Sequence, residues 1–237
     1  MPGPVEVWFA RETLLDDARE AARLATLLDA DEHARRNRMA HESGRRRQLL
    51  ARALQREVLS RYEPAIRPAE WRFERGAHGR PGLAPAFAAT GLNFNVAHAA
   101  GLVVVAVGRV ARLGVDVEAL DKRVPIPVAR RYFSPPEVAA LDALAPEARA
   151  RRFLRLWTLK EAYLKAVGEG LAGGLDRMTF TLGDDPGITF EHYQDADAAR
   201  WVFREFVEGA WMLALACLDA GEPPAVFALR EYRAGNA

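Results

Sequence analysis

The chain has 237 residues, half of them hydrophobic and 27% charged, with a formal net charge of +1. That composition supplies a substantial core for one or two compact units and excludes a chain that binds polyanions through bulk charge. A single cysteine, Cys217, excludes an intrachain disulfide, and Met1-Pro-Gly-Pro-Val-Glu lacks a basic, apolar leader, so a soluble cytoplasmic protein is expected. The first predicted element is a strand over Val5 to Phe9, followed by helices through 15–61, where Leu49, Leu50, Ala53, Leu54 and Val58 recur at helical spacing. Strands follow near 70–75 and 92–97, and the β-branched run Leu102-Val-Val-Val-Ala-Val107 reads as a buried strand. Next come an acidic strand, Leu113-Gly-Val-Asp116-Val-Glu118, a helix around 127–131, a helix from Pro136 and a long helix through Arg155 to Val167. Strands near 177–182, 187–193, 201–208 and 211–218 complete the series. The apolar runs at 102–107 and 211–218 are far too short to cross a membrane, so no membrane partner is expected. Each half reads as helices with a small, mainly antiparallel sheet, an α+β pattern divided near Val110-Ala-Arg112 into residues 1–111 and 112–237.

Positive charge is distributed unevenly by type. Thirty arginines stand against three lysines, and two of the lysines fall in Trp157-Thr-Leu-Lys160-Glu161-Ala-Tyr-Leu-Lys165. An ammonium is a compact donor whose proton can move, which guanidinium is not. On a helix, Phe153, Leu156, Tyr163, Leu164 and Val167 form one apolar sector, with Trp157, Glu161 and Lys165 along its border. Two readings stand for Glu161 and Lys165, a surface i, i+4 ion pair or two members of a site. Lys160 projects into the apolar sector and needs a buried partner. Gly168 and Gly170 end the helix.

On the acidic strand, side chains two apart point the same way. Asp116 and Glu118 can therefore offer oxygen ligands to one cation while Val115 and Val117 pack behind, a donor set that suits Mg²⁺ shared with a substrate phosphate. The competing reading is a polar strand edge facing water. Between His33 and Arg61 there are nine arginines against two acids, read as a few residues for a nucleotide phosphate within a solvated face. No aromatic platform accompanies them, so a nucleic-acid partner is not expected. Gly168-Glu-Gly170-Leu-Ala-Gly173 satisfies a dinucleotide fingerprint but follows a helix where a strand is required. No P-loop is present, the five histidines lack zinc spacing, and His98 alone has a buried-looking neighbourhood. Cys217, in an apolar strand, reads as a core residue, not a nucleophile.

Gly114-Val-Asp116-Val-Glu118 with Trp157-Thr-Leu-Lys160-Glu161-Ala162 and Lys165 resembles the 4′-phosphopantetheinyl transferases, closest to the surfactin-synthetase-activating type. Gly79-Arg80-Pro81, Asn93-Phe-Asn95-Val-Ala-His98 and Arg131-Tyr-Phe133-Ser134-Pro-Pro-Glu137 extend the resemblance over residues 30 to 180. It implies transfer of phosphopantetheine from coenzyme A to a serine of an apo acyl or peptidyl carrier protein, with release of adenosine 3′,5′-bisphosphate. It also implies two similar subdomains related by a pseudo-twofold axis, with the active site in the cleft between them. A monomer is expected.

Residue by residue, the resemblance implies Mg²⁺ (or Mn²⁺) on Asp116, Glu118 and Glu161, with Glu161 also a base for the serine and Glu137 a further acid near the metal. Lys165 matches the lysine that contacts the pyrophosphate and assists the leaving phosphate. Arg80, with Pro81 beside it, and His98 match positions near the coenzyme A phosphates, and Arg47 one at the 3′-phosphate. The family's usual serine before this histidine is Ala97, which removes a hydroxyl contact. A basic N-terminal position falls on His33, leaving Arg35, Arg36 or Arg38 to supply charge, with Arg36 taken as the ligand. The chemistry is coherent on physical grounds. Attack on a pyrophosphate needs neutralised phosphate oxygens, a base and a stabilised leaving group, and requires no enzyme nucleophile. Two alternatives are another Mg²⁺-dependent phosphotransferase or nucleotide hydrolase, and a catalytically silent coenzyme A or carrier-binding module.

Overall fold

The computed structural model describes residues 4–76, 80–124, 126–168, 170, 174–183, 187–218 and 227–234. Gly79 and most of the 168–173 glycine run lie outside them. The fold is α+β, in two compact units. One runs to Arg109 and includes the C-terminal strand, and the other begins at Val110.

In the first unit, β1 (Val5–Arg11) pairs in parallel with β11 (Phe227–Glu231) and antiparallel with β5 (Leu102–Gly108), which pairs antiparallel with β4 (Asn93–Ala99). The order is β11-β1-β5-β4, with β2 (Phe73–Arg75) and β3 (Pro81–Leu83) forming a separate hairpin. Neither β3 nor β11 was expected from the sequence, and β11 gives the last part of the chain to this unit. Three helices follow β1: α1 (Ala18–Ala25), α2 (Ala30–Asn37) and α3 (Glu42–Tyr62). Asp29 caps α2 in a capping box with Glu32. Leu50, Leu54 and Val58 of α3 share a core with Val103, Val105 and Val107 of β5. α2 is tied to α3 by the fully buried Arg56, whose guanidinium reaches Glu32 at 2.9 Å.

The second unit holds the three-stranded sheet β6-β10-β9, built from β6 (Arg112–Ala119), β9 (Val202–Glu208) and β10 (Trp211–Leu218), all antiparallel. Cys217 is buried in β10 as a core residue. A second hairpin is made of β7 (Met178–Leu182) and β8 (Ile188–His192). α4 (Ile126–Tyr132) and α5 (Pro135–Asp142) lead into α6 (Pro146–Val167). α6 starts on Pro146, where a missing N–H costs nothing, and ends at Gly168 in the left-handed conformation, φ 84°. Leu156, Leu159 and Tyr163 of α6 join the core with Phe180 and Phe203. Arg155 grips Glu205 of β9 with two nitrogens, at 3.0 and 2.6 Å, which fixes the helix over the sheet.

Candidate active site

β6 alternates as a strand must: Val115 and Val117 are buried on one face, while Gly114, Asp116 and Glu118 share the other. The second face meets α6, and Gly114 permits the approach. A Cβ at that position would stand 2.0 Å from the Ala162 carbonyl oxygen and 2.5 Å from the Ala166 nitrogen. Opposite Gly114 and Asp116, β10 places Ala216 and Ala214, so small side chains floor the groove in which the helix lies. Asp116 and Glu118 thus come under the helix that carries Glu161 and Lys165.

Lys165 Nζ donates to Asp116 Oδ1 at 2.6 Å. It reaches across to the strand and makes no ion pair with Glu161 among the described residues, so the surface i, i+4 reading is set aside. Asp116 is buried, and its other oxygen, Oδ2, has no hydrogen-bond partner. Glu118 is held by Lys122 Nζ at 2.6 Å. Glu161 is half-buried, and its carboxyl is pushed above the usual glutamate range, first by burial and then by the charge of Asp116, with Lys165 acting the other way. Three acids thus bear on one place, and an unpartnered buried carboxylate oxygen is the kind of donor a hard cation satisfies. No three His, Cys, Asp or Glu side chains among the described residues form a ready-made metal cage, and lysines are bonded to two of the acids.

Glu137 takes no part in this cluster. Its Oε1 accepts from Phe180 N at 2.8 Å, and its Oε2 from Ser134 N at 2.9 Å and from Lys160 Nζ at 2.7 Å. Lys160, fully buried, also donates to the Leu175 and Met178 carbonyls at 2.6 and 2.7 Å and lies 5.3 Å from the Phe133 ring centroid. The partner that Lys160 requires is therefore Glu137, and the expected metal-side role of Glu137 is corrected: its oxygens are consumed inside the core. Burial presses the Lys160 ammonium below its usual range while Glu137 supports its charge.

In the first unit, Arg47, Arg52 and Gln55 of α3, Pro81 of β3 and His98 of β4 line a cavity of about 320 Å³. Arg47 is held by Glu12 at 2.8 Å. Three residues expected at a nucleotide, Arg47, Pro81 and His98, come together here. Arg36 and Arg80 do not line the cavity. Arg80 donates to Asn93 Oδ1 at 3.3 Å, and Arg36 keeps a buried Nε without a hydrogen-bond partner. His98 is exposed, contrary to its buried-looking sequence neighbourhood, because strand alternation turns Ala97 inward and His98 outward. Ala97 is buried and is not among the residues that line the cavity.

Sequence reasoning missed Lys122, although the scarcity of lysine marks it, and it missed Gln48, Arg52 and Gln55, which share the Arg47 side of α3. Arg52 is largely buried, and burial followed by the charges of Arg56, Arg35 and Arg75 lowers its proton affinity despite Glu32.

Residues 112–216 match the family model of the 4′-phosphopantetheinyl transferase superfamily, and residues 17–109 match the N-terminal model of 4′-phosphopantetheinyl transferase. The chain is 38% identical over 150 residues to the 4′-phosphopantetheinyl transferase HetI of Nostoc sp., a match covering 63% of each protein. It is 32% identical over 222 residues to a phosphopantetheinyl transferase of Thraustochytrium sp., covering 86% of this chain and 74% of that protein. A 4′-phosphopantetheinyl transferase of Bacillus subtilis is 30% identical over 174 residues, covering 73% of this chain and 75% of the relative. With the acidic strand, the Lys-Glu helix and both family matches in register, the chain belongs to the 4′-phosphopantetheinyl transferase superfamily.

Proposed function

We propose that this chain moves the 4′-phosphopantetheine group of coenzyme A onto a serine of an apo acyl or peptidyl carrier protein and releases adenosine 3′,5′-bisphosphate. The observation that carries this reading is Asp116, buried beneath α6 with one oxygen on Lys165 and the other unpartnered. Asp116, Glu118 and Glu161 would hold Mg²⁺, or Mn²⁺ in its place. The ion, when bound, would neutralise charge on the pyrophosphate oxygens.

Glu161, whose proton affinity is raised, accepts the serine proton as the serine oxygen bonds to the phosphorus that carries pantetheine. The bond from that phosphorus to the bridging oxygen breaks, and the electron pair leaves with adenosine 3′,5′-bisphosphate. Lys165 meets the charge that develops on the departing phosphate, a task for a compact ammonium. Its present partner, Asp116, holds it in readiness. No enzyme nucleophile is needed, consistent with Cys217 lying in the core. Arg47 and His98, with Arg80 bonded to Asn93 at the start of the strand that carries His98, would hold the nucleotide end of coenzyme A in the first unit.

No helix among the described residues is long and apolar enough to cross a membrane. A cytoplasmic monomer with access to its carriers fits the expected setting. The test is intact-mass analysis of an apo carrier protein incubated with coenzyme A, Mg²⁺ and this protein. A gain of one phosphopantetheine on the carrier is expected. Hydrolysis of coenzyme A with an unchanged carrier would favour a nucleotide hydrolase, and binding without any reaction a silent module.

A further inference from the structure

Lys122 is outside the set of expected site residues, yet it stands at the acid cluster. Its ammonium lies 2.6 Å from Glu118 Oε1, and its charge is also felt at Glu161. The turn that carries it is fixed by backbone bonds, from Leu120 N to the Ala210 carbonyl at 2.8 Å and from Lys122 N to the Ala119 carbonyl at 3.1 Å. The two ends of the pair differ. The Glu118 side chain is 15% exposed and the Lys122 side chain 43%, so the acid is enclosed while the lysine can swing toward solvent. Among the described residues Glu118 is the one partner of the Lys122 ammonium, whereas the Lys160 ammonium has three.

Lys165 makes the same kind of single contact, with Asp116. With every group ionised, Asp116, Glu118 and Glu161 against Lys122 and Lys165 leave one negative charge at the cluster. One charge attracts a free divalent cation weakly, and two of the three acids must first lose a lysine. A pyrophosphate changes both terms. Its oxygens complete the shell of a small divalent cation that has few protein ligands, and its negative charge gives each displaced ammonium a new partner.

We propose that Lys122 is an exchangeable counter-ion of the cation site: it holds Glu118 while no cation is bound and releases it when cation and pyrophosphate arrive together, so that divalent cation and coenzyme A bind cooperatively. This rests on the reading of Asp116, Glu118 and Glu161 as the cation ligands, and goes beyond it by giving Lys122 a role and the two substrates a coupling. The coupling is reciprocal: the factor by which coenzyme A tightens the cation is the factor by which the cation tightens coenzyme A. A lysine suits the exchange because its point contact breaks one bond at a time, where an arginine would hold both carboxylate oxygens.

The experiment is calorimetric titration of Mn²⁺ into the full chain, alone and with saturating coenzyme A, against a blank of coenzyme A without protein. Wild type should bind Mn²⁺ about tenfold or more tightly in the presence of coenzyme A. Adenosine 3′,5′-bisphosphate, which has no pyrophosphate, should not reproduce that gain. Lys122→Met should tighten Mn²⁺ binding in the absence of coenzyme A by about threefold to tenfold, the scale of one exposed ion pair and one nearby like charge. It should also shrink the gain from coenzyme A by a similar factor. Lys122→Arg keeps the charge and should weaken Mn²⁺ binding, because a two-nitrogen grip on Glu118 is harder to break. Equal Mn²⁺ affinity with and without coenzyme A in wild type, or no tightening in Lys122→Met, overturns the proposal while leaving the cation site in place. If Mn²⁺ binds in none of the titrations, the reading of the three acids as cation ligands falls with it.

Discussion

Gly114 is the position at which the packing of the second unit and its chemistry meet. Gly114→Ala adds one methyl group whose carbon would lie 2.0 Å from the Ala162 carbonyl oxygen, 2.5 Å from the Ala166 nitrogen and 3.0 Å from the Ala166 Cβ. Two of these three obstacles are α6 backbone, so no rotamer change relieves the clash. α6 must back away from β6 by at least about 1 Å to reach ordinary contact, and overpacking of this kind costs on the order of 1–3 kcal/mol. For a chain of this size that lowers the melting temperature by roughly 2–12 °C. The effect on rate should be larger than the effect on stability. Asp116 and Glu118 sit on the strand while Glu161 and Lys165 ride on the helix, so the same retreat opens the Lys165–Asp116 contact of 2.6 Å. Displacement of reacting groups by about 1 Å costs on the order of 100-fold in turnover. The assay is carrier modification by intact mass beside a thermal melt, with Gly82→Ala as the stability control, because a Cβ there meets nothing within 4 Å. Wild-type melting together with wild-type turnover in Gly114→Ala would refute the claim that this glycine sets the helix–strand distance.

Asp116→Ala removes the one acid that is both buried and bonded to Lys165, so transfer should fall by orders of magnitude at millimolar Mg²⁺ while circular dichroism shows a folded protein. Lys165→Arg keeps the charge and should still be slow, since the larger fork cannot take the place of a compact ammonium; steady-state kinetics decide, and full activity would return this lysine to an ordinary ion pair. Lys160→Met leaves Glu137 buried without its cation and should cost about 3–5 kcal/mol by denaturant titration. Glu161→Gln should abolish turnover and yet stabilise the metal-free protein at neutral pH. The carboxyl of Glu161 is raised above 4.5 in the fold, so the native state binds the extra proton and its contribution to stability is lost as pH rises from there. Gln does not titrate, so the two melting curves should converge near pH 4 and separate above it, and parallel curves would count against the assignment.

The parts of the fold legible in the sequence are those held by local pattern. α6 announces itself through its apolar sector and its left-handed Gly168 cap, and β6 through the alternation of Val115 and Val117 with two acids. β11 was not legible, because what makes Phe227–Glu231 a strand is a parallel pairing with β1 from the other end of the chain. Glu137 was misread for a related reason. Its sequence neighbourhood shows an acid at a helix start, whereas its role depends on Phe180 N and Lys160, both distant in the chain. The cavity was legible in part. Arg47, Gln48, Arg52 and Gln55 are spaced along one side of α3, but among so many arginines nothing local distinguished the ones that line a wall from those in water.

Lysine use ties the site together. The chain has three lysines against thirty arginines, and every one of the three pairs with an acid of the family motifs: Lys122 with Glu118, Lys165 with Asp116 and Lys160 with Glu137. Acids crowded at one place repel one another, and the charge of Asp116 adds to burial in raising the Glu161 carboxyl. An arginine would relieve that repulsion through a bidentate grip that is costly to break, as Arg155 grips Glu205. A lysine relieves it through a point contact that a phosphate or a cation can replace. Lys160 is the exception that fits the rule: no substrate reaches it, and its three acceptors converge on a single nitrogen in a space that a planar fork would not enter. Lysine is kept here where the charge must either be exchanged or be small.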